Sequence, residues 1–283
     1  VFAAIPYRTF PDFQLGPLTI RTFGLFVAIG ILVGVSLFLR YARSRNLDTD
    51  ALTKLAWQVI LYGIIGSRVL FVLTHWSDFS GDLLSVFAVW EGGLQFSGAF
   101  LIAIFVIWLF ARRHPGLRGL VLSDGIVYGL VPGLMIGRLG CISVGEHLGT
   151  GTDFFLGWKY LGGATRESVA GGVGSVIHNT AIYELVLLAP LAVLLWWLQR
   201  RRVSDGWITA TFLLWYGVQR FCTDFFRAYD KTVFGLTGAQ YIAIGMFAGG
   251  LVLALRLRSR DSNATVVPAE EPEAPPDGVA SSE

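Results

Sequence analysis

Seven stretches of this chain, near residues 18–39, 55–74, 95–111, 119–137, 178–198, 207–226 and 238–257, are apolar over enough length to cross a bilayer as helices. A hydrocarbon core of about 30 Å takes about 20 apolar residues at helical rise, and only helices or closed barrels satisfy their backbone there. Seven such runs cannot share one soluble core. The composition agrees, with 54% hydrophobic and only 15% charged residues among 283 and a positive mean hydropathy. The expected class is all-α: a polytopic membrane protein with about seven transmembrane helices, forming a single domain over residues 1–258. Nothing before the first run has the charged, apolar and small-residue phases of a cleavable signal, so the chain is expected to be uncleaved. Asp82 to Trp90, too short to span and ending in Trp, predicts an interfacial helix. Residues 259–283, rich in Glu, Pro, Ala and Ser, predict a disordered acidic cytoplasmic tail.

The basic residues set the expected orientation. Arg40, Arg43, Arg45 and Lys54, then Arg112, Arg113 and Arg118, then Arg200, Arg201 and Arg202, then Arg256, Arg258 and Arg260 occupy alternate connections. The positive-inside rule assigns that face to the cytoplasm, which puts the amino terminus outside and the carboxyl terminus inside. Gly30 and Gly34 in the first run, and Gly125, Gly129 and Gly133 in the fourth, are spaced for close helix approach. No internal repeat argues for a transporter built from two halves. A net charge of +2, scattered along the chain, speaks against a nucleic-acid partner. Cys141 and Cys222 lie in or beside apolar segments without ligand spacing, so neither a metal nor a cofactor is signalled.

Arg68, Arg138, Arg220 and Arg227 all fall towards the outer ends of otherwise apolar runs. An arginine at a helix centre costs about 2.5–3.5 kcal/mol on insertion scales, so such residues face a cavity or a partner. Any one of them alone is accounted for by snorkelling to headgroups or by a structural carboxylate; four on one side point to an anion. Tyr216, Arg220 and Asp224 stand at i, i+4 and i+8 with Arg227 three residues on, which sets a hydroxyl, two guanidinia and a carboxylate along one helix face. His178 and Asn179 open the fifth run, and Tyr183-Glu184 follow about a turn and a half deeper. Glu184 reads as a counter-ion rather than a base, because unliganded arginines need neutralising. Membrane lipid phosphates are the nearest anions, and Arg grips phosphate through paired, charge-assisted hydrogen bonds. The stretch Gly137 to Gly149 carries Arg138, Glu146 and His147 where the apolar phase stops. Its glycines at 137, 140, 145 and 149 are expected to let backbone approach the headgroup.

Gly137-Arg138-x-Gly140 followed by Gly145-Glu146 and Gly149 resembles the signature of the prolipoprotein diacylglyceryl transferases, bacterial enzymes that lipidate prolipoproteins. Further blocks follow in order across residues 14 to 257. They are Gly16-Pro17, Gly66-x-Arg68, Trp90-Glu91-Gly92-Gly93, His178 with Tyr183-Glu184, Tyr216-Gly217 with Arg220, Phe225-Phe226-Arg227 with Asp230, and Gln240-Tyr241. The resemblance implies seven spans and a site facing the outer leaflet of the bacterial cytoplasmic membrane. It also implies a reaction in which the diacylglyceryl group of phosphatidylglycerol passes to the lipobox cysteine thiol of a prolipoprotein signal peptide, releasing glycerol phosphate. The nucleophile belongs to the substrate, so Cys141 and Cys222 read as packing residues. Arg138, which also binds substrate, Arg220, Glu146 and Ser97 match the family's catalytic positions. Arg68, Gly140, Gly149, His178, Tyr183, Glu184, Tyr216 and Arg227 match its substrate-binding blocks.

The chain departs from that pattern at the chemistry. The usual histidine position is Ser97, two signature asparagines are Cys141 and Val144, the tyrosine expected in the first run is Phe23, and Asn179 replaces a proline. His147 and His75 are the histidines that a relocated base would use. A positioned base contributes typically about 10² to 10⁴-fold, so its loss is survivable. An active transferase with an altered base is the preferred reading. A relative that binds phospholipid or lipoprotein precursor without transfer is the alternative, supported by the joint loss of histidine, tyrosine and asparagines.

Overall fold

The computed structural model describes residues 5–16, 18–79, 81, 83–87, 93–117, 119–165, 168–227 and 232–266. Seven long helices dominate: α1 (Thr22–Ser44), α2 (Thr49–Thr74), α4 (Phe96–Arg113), α5 (Leu120–Val144), α6 (Thr180–Arg200), α7 (Trp207–Asp224) and α8 (Gly238–Val266), with a short α3 (Trp76–Phe79) after α2. Five of them, α1, α2, α5, α6 and α8, are long and apolar enough to cross a membrane. The chain is thus a mostly helical, polytopic membrane protein. The last turns of α7 carry Gln219, Arg220, Thr223 and Asp224, and that polar load separates it from a plain lipid-facing span.

Helix ends depart from the apolar runs where polar chemistry decides. Residues 18–21 do not begin α1; as β3 (Leu18–Arg21) they pair antiparallel with β2 (Asp12–Leu15). Helix α2 starts six residues before its apolar run because the Asp48 carboxylate accepts from the backbone N–H groups of Asp50 and Ala51, both at 3.0 Å. Helix α5 continues to Val144 and ends on Gly145 in the left-handed region, φ +67°. The first half of the glycine signature, Gly137 to Val144, is therefore helical. Helix α8 runs on to Val266, past the predicted start of the tail; its Asp261 accepts from Trp207 Nε1 at 3.0 Å and Ser204 Oγ at 2.8 Å. Residues 267–283 lie outside the described residues. Of the expected interfacial helix, the described part is a 3₁₀ segment, Leu83–Phe87.

Glycines set the closest helix contact. A Cβ on Gly30 would stand 2.7 Å from the Gly133 carbonyl oxygen, and one on Gly34 would stand 3.0 Å from that of Gly129. Helices α1 and α5 therefore touch backbone to backbone, as the spacing predicts. Tyr41, Val127, Val131, Leu188, Leu191, Leu195, Ile208 and Phe212 join α1, α5, α6 and α7 in one core. At the start of α7 the fully buried Asp124 carboxylate accepts from Gly206 N at 2.7 Å, Thr209 N at 2.8 Å and Thr209 Oγ1 at 2.6 Å. It fixes α7 against α5.

A four-stranded sheet caps the far end of this core, in the order β1 (Ile5–Tyr7), β5 (Trp158–Tyr160), β6 (Val176–Asn179), β4 (Leu148–Gly151). Strand β1 runs parallel to β5 and the other pairs are antiparallel. Tyr7, Leu148, Tyr160 and Ile177 form its own small core, and the Tyr7 hydroxyl donates to Ile142 O at 2.7 Å, joining the sheet to the end of α5. A further hairpin, β7 (Thr232–Val233) with β8 (Leu236–Thr237), leads into α8.

Candidate active site

The last turns of α5 and α7 and the first turns of α6 meet beneath the sheet. Their polar side chains form one continuous network. Glu184, fully buried on α6, lies between two arginines: its Oε1 accepts from Arg220 Nη1 at 2.7 Å, and its Oε2 pairs with Arg138 Nη2. Arg220 also reaches Asp224 Oδ1, one turn along α7, at 3.0 Å, and Arg227 Nη1 meets the same oxygen at 3.6 Å. The other oxygen of Asp224 accepts from the Thr237 hydroxyl. Arg227 Nη2 closes the chain by donating to His147 Nδ1 at 2.7 Å. Tyr216 lies beside Arg138, and Gln219 Nε2 holds the Glu184 backbone carbonyl at 3.2 Å.

Burial separates the partners by role. The Glu184 and Asp224 side chains are 1% and 0% exposed, whereas those of Arg138, Arg220 and Arg227 keep 14–15%. The carboxylates are thus sealed behind the guanidinia, which present one edge outward. This is the counter-ion arrangement that the arginines require, with three guanidinia facing two buried carboxylates.

The sheet places His147 against this edge, and His178 on β6 beside Tyr183 and Phe226. His147 takes a left-handed backbone, φ +62°, held by the Thr180 hydroxyl donating to its carbonyl at 2.5 Å. A guanidinium only donates, so His147 Nδ1 is the acceptor and its proton sits on Nε2. Burial, then the charges of Arg227, Arg138 and Arg220, pull its pKa down to about 3. His147 is therefore a neutral ring with its lone pair already engaged, which removes it as the relocated base. His178, on β6, is the opposite tautomer. The Tyr183 hydroxyl donates its proton to Leu156 O at 3.0 Å and so accepts from His178 Nδ1–H at 3.0 Å. The lone pair of His178 is on Nε2, which has no partner among the described residues. Its ring packs on Phe226 at 4.6 Å, next to Arg227, and burial lowers its pKa.

Other expected ligands have different work. Arg68 donates to the backbone carbonyls of Val86 at 2.8 Å, Ser85 at 2.6 Å and Gly93 at 3.2 Å. It fastens the α2–α4 connection. Gly140 packs against Phe23 and Phe26 of α1, and a Cβ there would stand 3.2–3.3 Å from them. Gly149 is pressed on His178 and the Phe226 carbonyl and bridges Arg227 as a strand. Both glycines permit close packing at these positions. Ser97 is exposed on the first turn of α4, a helix packed chiefly on α2. The structure does not bring it into the network. His75 stacks on Phe71 at 4.4 Å, at the end of α2. Trp90, Glu91, Gly92 and Asp230 lie outside the described residues.

Cys141, Glu146 and His147 present one ligating atom each within 4.8 Å of one another. The donor set does not suit a cation: His147 Nδ1 is taken by Arg227 and Nε2 carries the proton, so the ring has no lone pair to give. Arg138 Nη1 also stands 3.8 Å from Cys141 Sγ. Asp124, Thr237 and Gln219 are functional supports that sequence alone did not single out. Helical spacing from Tyr216, three residues earlier, was the available signal for Gln219 alone.

Residues 12–256 match the family model described as prolipoprotein diacylglyceryl transferase. Among similar proteins, one from Synechococcus elongatus is 32% identical over 245 residues, covering 84% of each chain. One from Oleidesulfovibrio alaskensis is 34% identical, covering 85% of this chain and 90% of its own. One from Bordetella avium is 33% identical, covering 89% and 98%. Each of these relatives is named a phosphatidylglycerol–prolipoprotein diacylglyceryl transferase.

Proposed function

The chain belongs to the prolipoprotein diacylglyceryl transferase family, and on that premise we propose how its arginine network and His178 carry the transfer. The enzyme moves the diacylglyceryl group of phosphatidylglycerol to the lipobox cysteine thiol of a prolipoprotein, within the cytoplasmic membrane. The observation that carries the proposal is the pair of arginines, Arg138 and Arg220, held on the two oxygens of Glu184 with Arg227 adjoining. Three guanidinium edges grip the lipid phosphate before reaction. As the thiol sulfur attacks the glyceryl carbon, the C–O bond to phosphate breaks and a second negative charge grows on glycerol phosphate. Preorganised arginines meet that charge without reorganising, and fixed donors of this kind are usually the main source of an enzyme's rate enhancement.

The thiol proton goes to His178 Nε2, whose ring is oriented by Tyr183 as a general base needs. Glu146, beside Cys141 and His147, lines the rim where the peptide enters. Tyr216 and Gln219 hold Arg138 and Glu184 in place. Seven spans, with the amino terminus outside, the carboxyl terminus cytoplasmic and the site towards the outer leaflet, follow from the basic residues clustered at the opposite connections. The polar network at one end of the bundle supports this reading over a transporter path.

The test is complementation of a transferase-depleted bacterium, paired with purified protein, phosphatidylglycerol and a lipobox peptide. Thioether product is expected, and Arg138→Ala is expected to weaken phosphatidylglycerol binding. Absence of product from correctly inserted, lipid-binding protein overturns transfer in favour of a non-catalytic lipid binder.

A further inference from the structure

We propose that the seam between α2 and α4 is a second phospholipid site, apart from the arginine network. One acyl chain lies along it, and the anionic phosphate of the same lipid sits at Arg113. The two helices close on each other at Gly66 and Gly98, where a Cβ on Gly66 would stand 2.9 Å from the Gly98 carbonyl oxygen. Elsewhere their larger side chains splay and leave a half-open groove of about 550 Å³. Tyr62, Val69, Leu101 and Phe105, each about half exposed, form its walls. From Gly98 to Arg113 the groove follows fifteen helical residues, roughly 22 Å at 1.5 Å each. That is more than half of a hydrocarbon core of about 30 Å.

Charge is confined to one end, at Arg113, with His114 beside it. Arg113 makes no hydrogen bond or ion pair with any described residue. Its neighbour Arg112, by contrast, lies over the Trp108 ring at 4.3 Å. His114 is pinned beside it, stacked on Phe110 at 4.1 Å with Nδ1 on the Phe110 carbonyl at 3.1 Å. A long apolar trough with an unpaired cation at one end is the complement of a chain with an anion at one end. Signal-peptide segments carry basic residues ahead of their apolar run, which would set like charges against Arg113. A second copy related about the membrane normal would bring two basic ends to one level. The site is also remote from the network: Arg113 precedes α5, and Arg138 lies eighteen residues beyond Leu120, about 27 Å along that helix.

Native mass spectrometry of the full chain, titrated with phosphatidylglycerol or phosphatidylcholine, reads this out without requiring transfer. Wild type is expected to bind phosphatidylglycerol saturably at two sites. Arg113→Gln is expected to weaken one of them about tenfold, the loss of a charge-assisted contact, with phosphatidylcholine little changed. Val69→Trp fills the trough and is expected to remove that site for both lipids, while Arg138→Ala leaves it intact. Both groove substitutions fall on exposed side chains, and wild-type melting of the variants confirms their folding. Equal phosphatidylglycerol binding by wild type, Arg113→Gln and Val69→Trp overturns the proposal, as does equal wild-type affinity for the two lipids. Displacement of lipid from this site by a lipobox peptide overturns it in favour of a peptide groove.

Discussion

Glutamine in place of Glu184 strikes the centre of the site while keeping its shape. The buried carboxylate serves Arg220 at 2.7 Å through one oxygen and Arg138 through the other. Glutamine retains one acceptor and turns an N–H donor towards a guanidinium, so one arginine loses its partner and both lose the charge between them. Removing one partner from a buried ion pair costs about 3–5 kcal/mol, which corresponds to roughly 10 °C of melting temperature in a chain of this size. The uncompensated arginines then favour any anion that fits. Glycerol phosphate at about 100 times its dissociation constant returns about 2.7 kcal/mol. Thermal unfolding of purified wild type and Glu184→Gln, with and without glycerol phosphate, measures both effects. The variant is expected to melt well below wild type and to gain more from the anion. Equal melting and equal anion response would refute the counter-ion role, and with it the claim that this network is built to receive a phosphate.

His178→Gln is expected to lower kcat about 10² to 10⁴-fold, the usual contribution of a positioned base. It also removes an acid limb that lies below the ordinary histidine value of about 6.5, because burial lowers this pKa; an unchanged pH–rate profile excludes His178 as the base. His147 contributes to stability instead. With its folded pKa down at about 3, the unfolded chain binds more protons than the folded one below 6.5, so stability is full above that pH and declines as pH falls. The slope is up to about 1.4 kcal/mol per pH unit. His147→Gln should shrink the stability difference between pH 7.5 and pH 5 by up to about 2 kcal/mol, measured by chemical unfolding at the two pH values; an undiminished difference contradicts the buried neutral ring. Gly129→Val places a side chain on the Gly34 carbonyl and should cost at least about 1–3 kcal/mol through forced separation of α1 and α5. Gly137→Ala, which meets nothing within 4 Å, should stay within about 1 kcal/mol of wild type; similar melting of the two variants would overturn the backbone-contact reading.

Much of the helical frame was legible because its cause is local. A run such as Phe23 to Leu39 is apolar on every face, and no other structure satisfies its backbone in lipid. Gly30 and Gly34 against Gly129 and Gly133 were legible for the same reason, since a four-residue spacing fixes which face is bare. The helix ends were not, because Asp48 and Gly145 override hydropathy with hydrogen bonds. The sheet was not visible at all. Its strands are three or four residues long, too short for an alternating pattern, and they pair across gaps such as Ile5 with Trp158.

That blind spot bears on which residue is proposed to carry the proton. Arg220 and Asp224 sit one turn apart on a single helix, so their spacing announced a shared face, and Glu184 in another apolar run read as a counter-ion. His147 and His178 sit at strand ends, and their roles depend on what the sheet brings to each Nδ1. Arg227, eighty residues away, donates to one; Tyr183, backed by the Leu156 carbonyl, accepts from the other. In the sequence His147, inside the signature, is a candidate for a relocated base, while His178 matches a substrate-binding block. The hydrogen bonds reverse those roles in the proposed mechanism. The histidine in the signature spends its lone pair on an arginine, and His178 on β6 keeps its Nε2 lone pair without a partner among the described residues, which is why it is the proposed acceptor of the thiol proton.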